Sequence, residues 1–239
     1  MPFTHPGHDE WENPEFAQHW DAVVSAANPS RAEQLDILAA VVERVYAPGT
    51  RILDLGLGSG LVELALFNCV PEAQVVGVEQ SEAMIALARQ RLAPYADRCQ
   101  IVRHDLASIE TLALPEQTYS VAFSVQTLHH IPHEAQRAVY GFVARLLPPG
   151  GIFLHMERVA LDAEAFADVI PPAWEALESR AEVKSGGTAE DFLARLRHKS
   201  EYAAMLEQHL AWLRAAGFAA TCLHLQLNRA LMVGVKPAR

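Results

Sequence analysis

The chain has 239 residues, 51% of them hydrophobic, which is enough for one sizeable core with a small appendage. Its 29 acidic and 19 basic side chains give a formal charge of -10, which works against a sequence-independent grip on phosphate backbones; neither a nucleic-acid nor a membrane partner is expected. The cysteines Cys69, Cys99 and Cys222 stand far apart with no CxxC pair, so the chain offers neither a disulfide framework nor a thiolate zinc site and reads as cytoplasmic.

Residues 1–27 set Trp11, Phe16, His19 and Trp20 among polar residues and Pro2, Pro6 and Pro14, a composition for an irregular arm and a helix. The arm has no apolar leader core, and no later segment keeps about 18 apolar residues together. Asn28 reads as an N-cap with Pro29 at the first helical position, and Leu35, Leu38, Val42 and Val45 follow at helical spacing up to Pro48 and Gly49. Four units of strand then helix come next: Ile52 to Leu55 with 60–69, Val75 to Val78 with 82–92, Ile101 to Arg103 with a poor helix, and Val121 to Ser124 with 133–146. This alternation predicts a parallel α/β sheet, and the continuous apolar strands predict that each is central and covered on both faces.

The turn Pro148-Pro149-Gly150-Gly151 introduces a fifth strand over Ile152 to Met156. Residues 160–205 are more polar and mostly helical, interrupted at Pro171-Pro172 and Ser185-Gly186-Gly187, with Thr188 and Asp191 spaced as a capping box; this predicts an inserted helical cap. His209 to Ala216 is amphipathic and ends at Gly217, after which 218–225 and 230–235 read as a hairpin joined at Asn228-Arg229.

The chemistry concentrates in Arg51-Ile-Leu-Asp54-Leu-Gly56-Leu-Gly58-Ser-Gly60 and in Glu79, which closes the next apolar run. The spacing is G-x-G-x-G, with Leu61 where a dinucleotide fingerprint needs its third glycine, and no phosphate-cradling G-x-x-x-x-G-K-[ST] is present. Asp54 puts an anion beside the loop, which repels phosphate and suits a cationic ligand. Taken singly, Asp54 reads equally well as a turn acid and Asp105 as an N-cap.

Together, Asp54-Leu-Gly56-Leu-Gly58-Ser-Gly60, Val78-Glu79-Gln80-Ser81 and His104-Asp105-Leu106 resemble the three S-adenosylmethionine contact motifs of class I methyltransferases, over about residues 30–157 and more weakly the terminal hairpin. The resemblance implies a Rossmann-like, doubly wound α/β fold: a seven-stranded sheet with an antiparallel last strand, residues 1–47 as arm and lid helices, and 48–239 as the core carrying the cap at 160–205. It implies S-adenosyl-L-methionine as cofactor, with Asp54 near the methionine ammonium, Gly56 and Gly58 beneath the adenosyl group and Glu79 accepting the ribose hydroxyls. Asp105 and Leu106 suit the adenine edge. Gly60, Gln80 and Ser124 complete the set with Met84, whose helical spacing from Ile85 and Ala88 also suits a core residue.

Methyl transfer is a direct displacement, and a base is needed only when the acceptor arrives protonated. The run Ser124-Val125-Gln126-Thr127-Leu128-His129-His130 resembles the family's fourth motif. His129 is the first candidate for base or orienting group and His130 the second; packed or merely polar imidazoles are the alternative. Trp20, Gln126 and Glu157 are candidate substrate contacts, Glu157 with Arg158 reading equally as a solvated ion pair, and Arg31 is a candidate for the methionine carboxylate. His129, His130, His133 and His155 raise a metal site, but Ser124 and Gln126 stand where magnesium-dependent relatives place carboxylates, so no metal is expected. Ser124 also argues against a nucleobase target, and the aromatic arm and the cap suggest a small, partly apolar acceptor. Aminopropyl or carboxymethyl chemistry on this fold, a non-catalytic nucleoside binder and a nicotinamide dehydrogenase are the rival readings, and the oligomeric state stays open.

Overall fold

The computed structural model describes residues 8–27, 30–181, 187–197 and 202–238. One seven-stranded sheet runs through it, built from β1 (Arg51–Leu55), β2 (Val75–Glu79), β3 (Cys99–Arg103), β4 (Tyr119–Val125), β5 (Ile152–Arg158), β6 (Ala219–Gln226) and β7 (Arg229–Val235). The order is β3-β2-β1-β4-β5-β7-β6; the first five strands pair in parallel, and β7 runs antiparallel to both β5 and β6. The helices are α1 (Pro14–Ala27), α2 (Arg31–Val45), α3 (Leu61–Cys69), α4 (Glu82–Arg91), α5 (His133–Leu146), α6 (Ile170–Arg180), α7 (Ala189–Arg197) and α8 (Leu206–Ala215).

Each face of the sheet carries its own core. On one, Leu53, Leu55, Val76 and Phe153 pack with Val139, Tyr140 and Val143 of α5 and Leu213 of α8. On the other, Ile52, Val75, Val121 and Phe123 pack with Leu38 and Val42 of α2 and Leu66 and Phe67 of α3. The buried residues of α5, Gln136, Val139, Tyr140 and Val143, fall at the three- and four-residue spacing that puts one helical stripe on a sheet. β1 and β2 are buried almost end to end, as strands covered on both faces must be.

β3 departs from the central position that its apolar run predicts. It is an edge strand and only half-buried, because the segment after it forms a short 3₁₀ helix, Leu106–Thr111, in place of a full covering helix. The terminal hairpin turns at Leu227-Asn228, so Arg229 belongs to β7 and not to the junction. The predicted start of α2 at Asn28-Pro29, and Ser185-Gly186 in the cap, lie outside the described residues. Within the cap, Thr188 and Asp191 form the reciprocal bonds of a capping box: the Thr188 N–H donates to Asp191 Oδ2 at 2.9 Å and the Asp191 N–H to Thr188 Oγ1 at 3.1 Å. Among the described residues no helix is long and apolar enough to cross a membrane.

Candidate active site

The carboxyl ends of β1 to β4 surround a cavity of about 140 Å³, closed on one side by the arm. The glycine loop after β1 is stitched to the end of β2: the N–H groups of Gly56 and Leu57 both donate to the Val78 carbonyl, at 2.9 and 3.0 Å. Gly56 has φ 99°, and a Cβ there would fall 2.2 Å from Thr127 Oγ1, so only glycine lets the loop pass under the end of β4. At Gly58, φ 57°, an added Cβ would meet nothing within 4 Å, which leaves the loop open toward the cavity.

Glu79 lines the cavity next to the loop. Its Oε2 accepts from the Gly58 N–H at 2.9 Å, and Oε1 from the N–H groups of Gln80 and Ser81 at 2.8 and 2.9 Å. A carboxylate has about four acceptor positions, so these bonds leave one facing outward. Burial raises the pKa of Glu79, and the three N–H groups pull it back down. Asp105 also lines the wall while its Oδ1 accepts from the Ala107 N–H at 2.8 Å, so the cap that the sequence suggests and a place on the cavity coexist. Gln80, Met84 and Leu106 complete this end, Met84 being both wall and core.

Another part of the wall is built from the segment after β4. Gln126 has φ 54°, rare for a residue with a side chain, and its N–H donates to the Met156 carbonyl at 2.7 Å. Its Oε1 receives Arg31 Nη1 at 3.5 Å, while its buried Nε2 has no hydrogen-bond partner in the structure. His130 lines the cavity, with its ring 5.5 Å from Trp11 at an edge-on 72° and 4.1 Å from the ring of His129.

His129 does not line the cavity. It is buried with Glu157, whose Oε1 lies 2.5 Å from His129 Nδ1 and whose Oε2 accepts from the His129 N–H at 3.2 Å. Successive residues of the short 3₁₀ helix Leu128–His130 project about 120° apart, so a pair of histidines cannot both face the same way. Glu157 is accordingly spent on His129 and on the Arg158 N–H, at 2.7 Å, and does not reach the cavity.

Three other candidates also lie behind the wall. Asp54 sits inside β1, as the apolar run Ile52 to Leu55 predicts, between Gly77 of β2 and Phe123 of β4. It is buried beside Glu63 of α3, and burial, followed by repulsion from Glu63, lifts its pKa well above the carboxylate range. Ser124 is buried in β4, where its hydroxyl donates to the Leu55 carbonyl at 2.8 Å. Gly60 precedes α3 and packs against Leu92.

The sequence reading missed how firmly the arm is held. Asp21 of α1 takes Arg91 Nη2 of α4 at 2.7 Å and also binds the Ser59 hydroxyl of the glycine loop. The Ser81 hydroxyl donates to the Trp11 carbonyl at 2.6 Å, and Trp11 and Trp20 meet edge-on on the cavity wall at 5.3 Å. Arg31, buried at 5% exposure, also lines the cavity, and burial pulls its pKa down to about 10 against the opposing pull of Glu63. Partners so distant in sequence leave no local signal. Among the described residues no group of three or more His, Cys, Asp or Glu is arranged to hold a metal ion.

Comparison with known proteins gives three kinds of similarity. The family described as Methyltransferase domain matches residues 52–151. A carboxy-S-adenosyl-L-methionine synthase of Pseudomonas putida is 30% identical over 197 residues, 80% of this chain and 76% of that protein. A trans-aconitate 2-methyltransferase of Variovorax paradoxus is 37% identical over 113 residues, 47% of this chain and 40% of that protein, so this chain spans less than half of that relative. Among solved structures, PigF with SAH superposes with a TM-score of 0.62 at 22% identity, over 95% of this chain and 61% of that one, which shows a shared fold.

Proposed function

We propose that this chain, which belongs to the class I S-adenosylmethionine-dependent methyltransferases, transfers a methyl group to a small-molecule acceptor in the cavity at the ends of β1 to β4. The cofactor is S-adenosyl-L-methionine. One observation carries the reading: Glu79 and the glycine loop are bonded together on the wall of a cavity that Gln126 and His130 also line. The residues present fit the cofactor, since Gly58 leaves open space above the loop, Glu79 keeps an outward acceptor position, and the buried Gln126 Nε2 and Trp11 Nε1 lack partners.

In this reading Gly56 and Gly58 underlie the adenosyl group, Glu79 accepts from the ribose, and Asp105 and the Leu106 N–H read the adenine edge beside Met84. Arg31 takes the methionine carboxylate, while the buried Asp54 and Glu63, both with raised pKa values, stand behind the loop. When bound, the cofactor supplies a sulfonium methyl: an acceptor lone pair forms the new bond as the carbon–sulfur bond breaks and its electron pair stays on sulfur. The arm acts as lid, and Trp11 and Trp20 exclude water and hold the reactants in line. His130, facing the cavity, takes the proton of a hydroxyl or ammonium acceptor. His129, held by Glu157, acts through its ring contact with His130 as a positioning residue. The three cysteines are all free thiols, which supports a reducing, cytoplasmic setting.

The test is incubation with methyl-labelled S-adenosyl-L-methionine and a panel of small hydroxyl, amine and acid acceptors, with products read by mass. Label on an acceptor together with S-adenosylhomocysteine is expected. A second reading rests on the Pseudomonas putida relative, whose alignment takes in 76% of its length: the cofactor itself would be carboxylated. A product that keeps the whole cofactor and gains one carboxyl group would establish that reading in place of methyl transfer. Tight binding of S-adenosylhomocysteine with no product from any acceptor would mark a non-catalytic binder.

A further inference from the structure

His130 belongs to the short 3₁₀ helix Leu128–His130, whose own bonds run from the His130 N–H to the Thr127 carbonyl and from the Ile131 N–H to the Leu128 carbonyl, each at 3.1 Å. A single turn is marginal by itself, so its shape is set by what grips it from outside. Glu157 Oε2 accepts from the His129 N–H at 3.2 Å. The His129 carbonyl accepts from the Tyr202 N–H at 2.8 Å, and the Ile131 carbonyl accepts from Gln136 Nε2 at 2.9 Å. The carbonyls flanking His130 are thus each tied to a different part of the fold.

Gln136 of α5 closes these contacts into a ring. Its amide nitrogen has two hydrogens, and the second goes to the Tyr202 carbonyl at 2.8 Å. The path runs from the His129 carbonyl through the Tyr202 peptide and Gln136 Nε2 to the Ile131 carbonyl, and returns along the chain through His130. The amide cannot be turned round, because its oxygen would then face two carbonyls. Gln136 is fully buried, and its Oε1 has no hydrogen-bond partner in the structure. A buried amide with an unsatisfied oxygen costs stability that an apolar side chain of the same size would not, so what Gln136 contributes lies in its two donors.

Both feet of the cap meet this ring. The cap leaves from the end of β5, where Glu157 holds His129, and returns through Tyr202, which holds the His129 carbonyl. The feet are tied together by the Ala160 N–H, which donates to the Ala204 carbonyl at 2.8 Å. His130 and Ile131 line the cavity, and Gln136 and Tyr202 do not.

We propose that Gln136 is a positioning residue for the reaction: by clamping the Ile131 and Tyr202 carbonyls together it fixes the backbone on both sides of His130 and joins the foot of the cap to the His130 turn. The inference rests on the reading of His130 as the base. The alignment of that imidazole is then set outside the cavity, and a shift of the cap is carried to His130 through one peptide group.

The test uses the full chain and three variants. Gln136→Leu has a similar volume and lacks both donors, while Tyr202→Pro and Tyr202→Ala differ in the single N–H that is bonded to His129. Hydrogen exchange read residue by residue is expected to find the Tyr202 amide protected in the parent, although its side chain is exposed, and about tenfold faster in Gln136→Leu with β1 to β5 unchanged. With methyl-labelled S-adenosyl-L-methionine and a panel acceptor that the parent methylates, Gln136→Leu is expected to lower kcat by about 10–10², the scale of a small misplacement of a catalytic group. KM for the cofactor and S-adenosylhomocysteine affinity are expected to stay as in the parent. Tyr202→Pro is expected to turn over about tenfold more slowly than Tyr202→Ala, the worth of one hydrogen bond, and this pair decides if Gln136→Leu does not fold.

An unprotected Tyr202 amide in the parent, the parent's kcat in Gln136→Leu, or equal turnover of the two Tyr202 variants would overturn the inference. So would a loss shared equally by kcat and S-adenosylhomocysteine affinity, which is what a merely structural residue gives. A parent that binds S-adenosylhomocysteine and methylates nothing would overturn the proposed function instead, and the exchange pattern would still decide the clamp.

Discussion

The two ends of the cleft are built by different means. At the cofactor end the wall is largely backbone: a glycine loop stitched to the Val78 carbonyl, and a carboxylate fixed by three N–H groups within the same βαβ unit. At the reacting end it is side chains brought from far apart, with Trp11 against His130, Arg31 against Gln126 and Glu157 against His129. The first construction tolerates few substitutions and is common to many acceptors. The second can be rebuilt one contact at a time, and on the proposed reading it is where an acceptor is chosen.

Four measurements break or sharpen this contrast, from the largest expected effect down. His130→Ala should lower kcat by about 10²–10⁴, the usual worth of a positioned base, with S-adenosylhomocysteine affinity unchanged; unaltered turnover would show that the reacting end only aligns. Gly56→Ala should destabilise the fold by about 1–3 kcal/mol through the clash with Thr127 and should remove cofactor binding, read by denaturation and calorimetry. Retained binding would show that the backbone end yields more than its geometry suggests.

The third measurement uses pH. His155 and His209 are buried near the reacting end, and burial lowers their pKa values to about 3 and about 4. Their contribution to stability is present above the ordinary imidazole value of about 6.5 and is lost as pH falls toward those folded values. At pH 5 the loss from His155 is about 2 kcal/mol. His155→Phe, beside Phe153, should remove that share of the acid sensitivity in denaturation curves at pH 7 and 5. Acid acts the other way behind the glycine loop, where burial raises Asp54 and Glu63; their contribution is full below the ordinary carboxyl range and fades as pH rises through their folded values. Asp54→Asn should therefore steepen the acid loss; a shallower curve would remove the pair from the account. The smallest effect is expected for Glu79→Gln, about a tenfold loss of S-adenosylhomocysteine affinity, because the amide keeps one acceptor and loses the other to a donor facing the Gly58 N–H.

The same contrast decides what could be read in the chain. The strands follow from apolar runs and turn residues to within two residues at their ends, and the seven-stranded order follows from the family resemblance. The positions of Gly56, Gly58, Glu79 and Asp105 on the cavity follow from motifs whose members lie near one another in sequence. Less legible is what one residue of register decides. Asp54 is within β1, as its apolar run implies, two residues short of the loop glycine, but that it is buried beside Glu63 and off the cavity wall depends on α3. His129 and His130 are neighbours, and only Glu157, whose carboxylate takes the first of them, determines which ring faces the cavity. β3 was misplaced because an apolar run shows what a strand can bury and not whether a helix arrives to bury it.

The placement of the tryptophans has a practical consequence. Of the four indoles, Trp11 and Trp20 stand on the cavity wall, Trp174 stacks on Phe192 in the cap, and Trp212 lies against His133 and His209. The molecule thus carries separate optical reporters for the cavity and for the cap. Intrinsic fluorescence with Trp174→Phe and Trp212→Phe together isolates the cavity pair, and with Trp11→Phe, Trp20→Phe and Trp212→Phe together it isolates Trp174 in the cap.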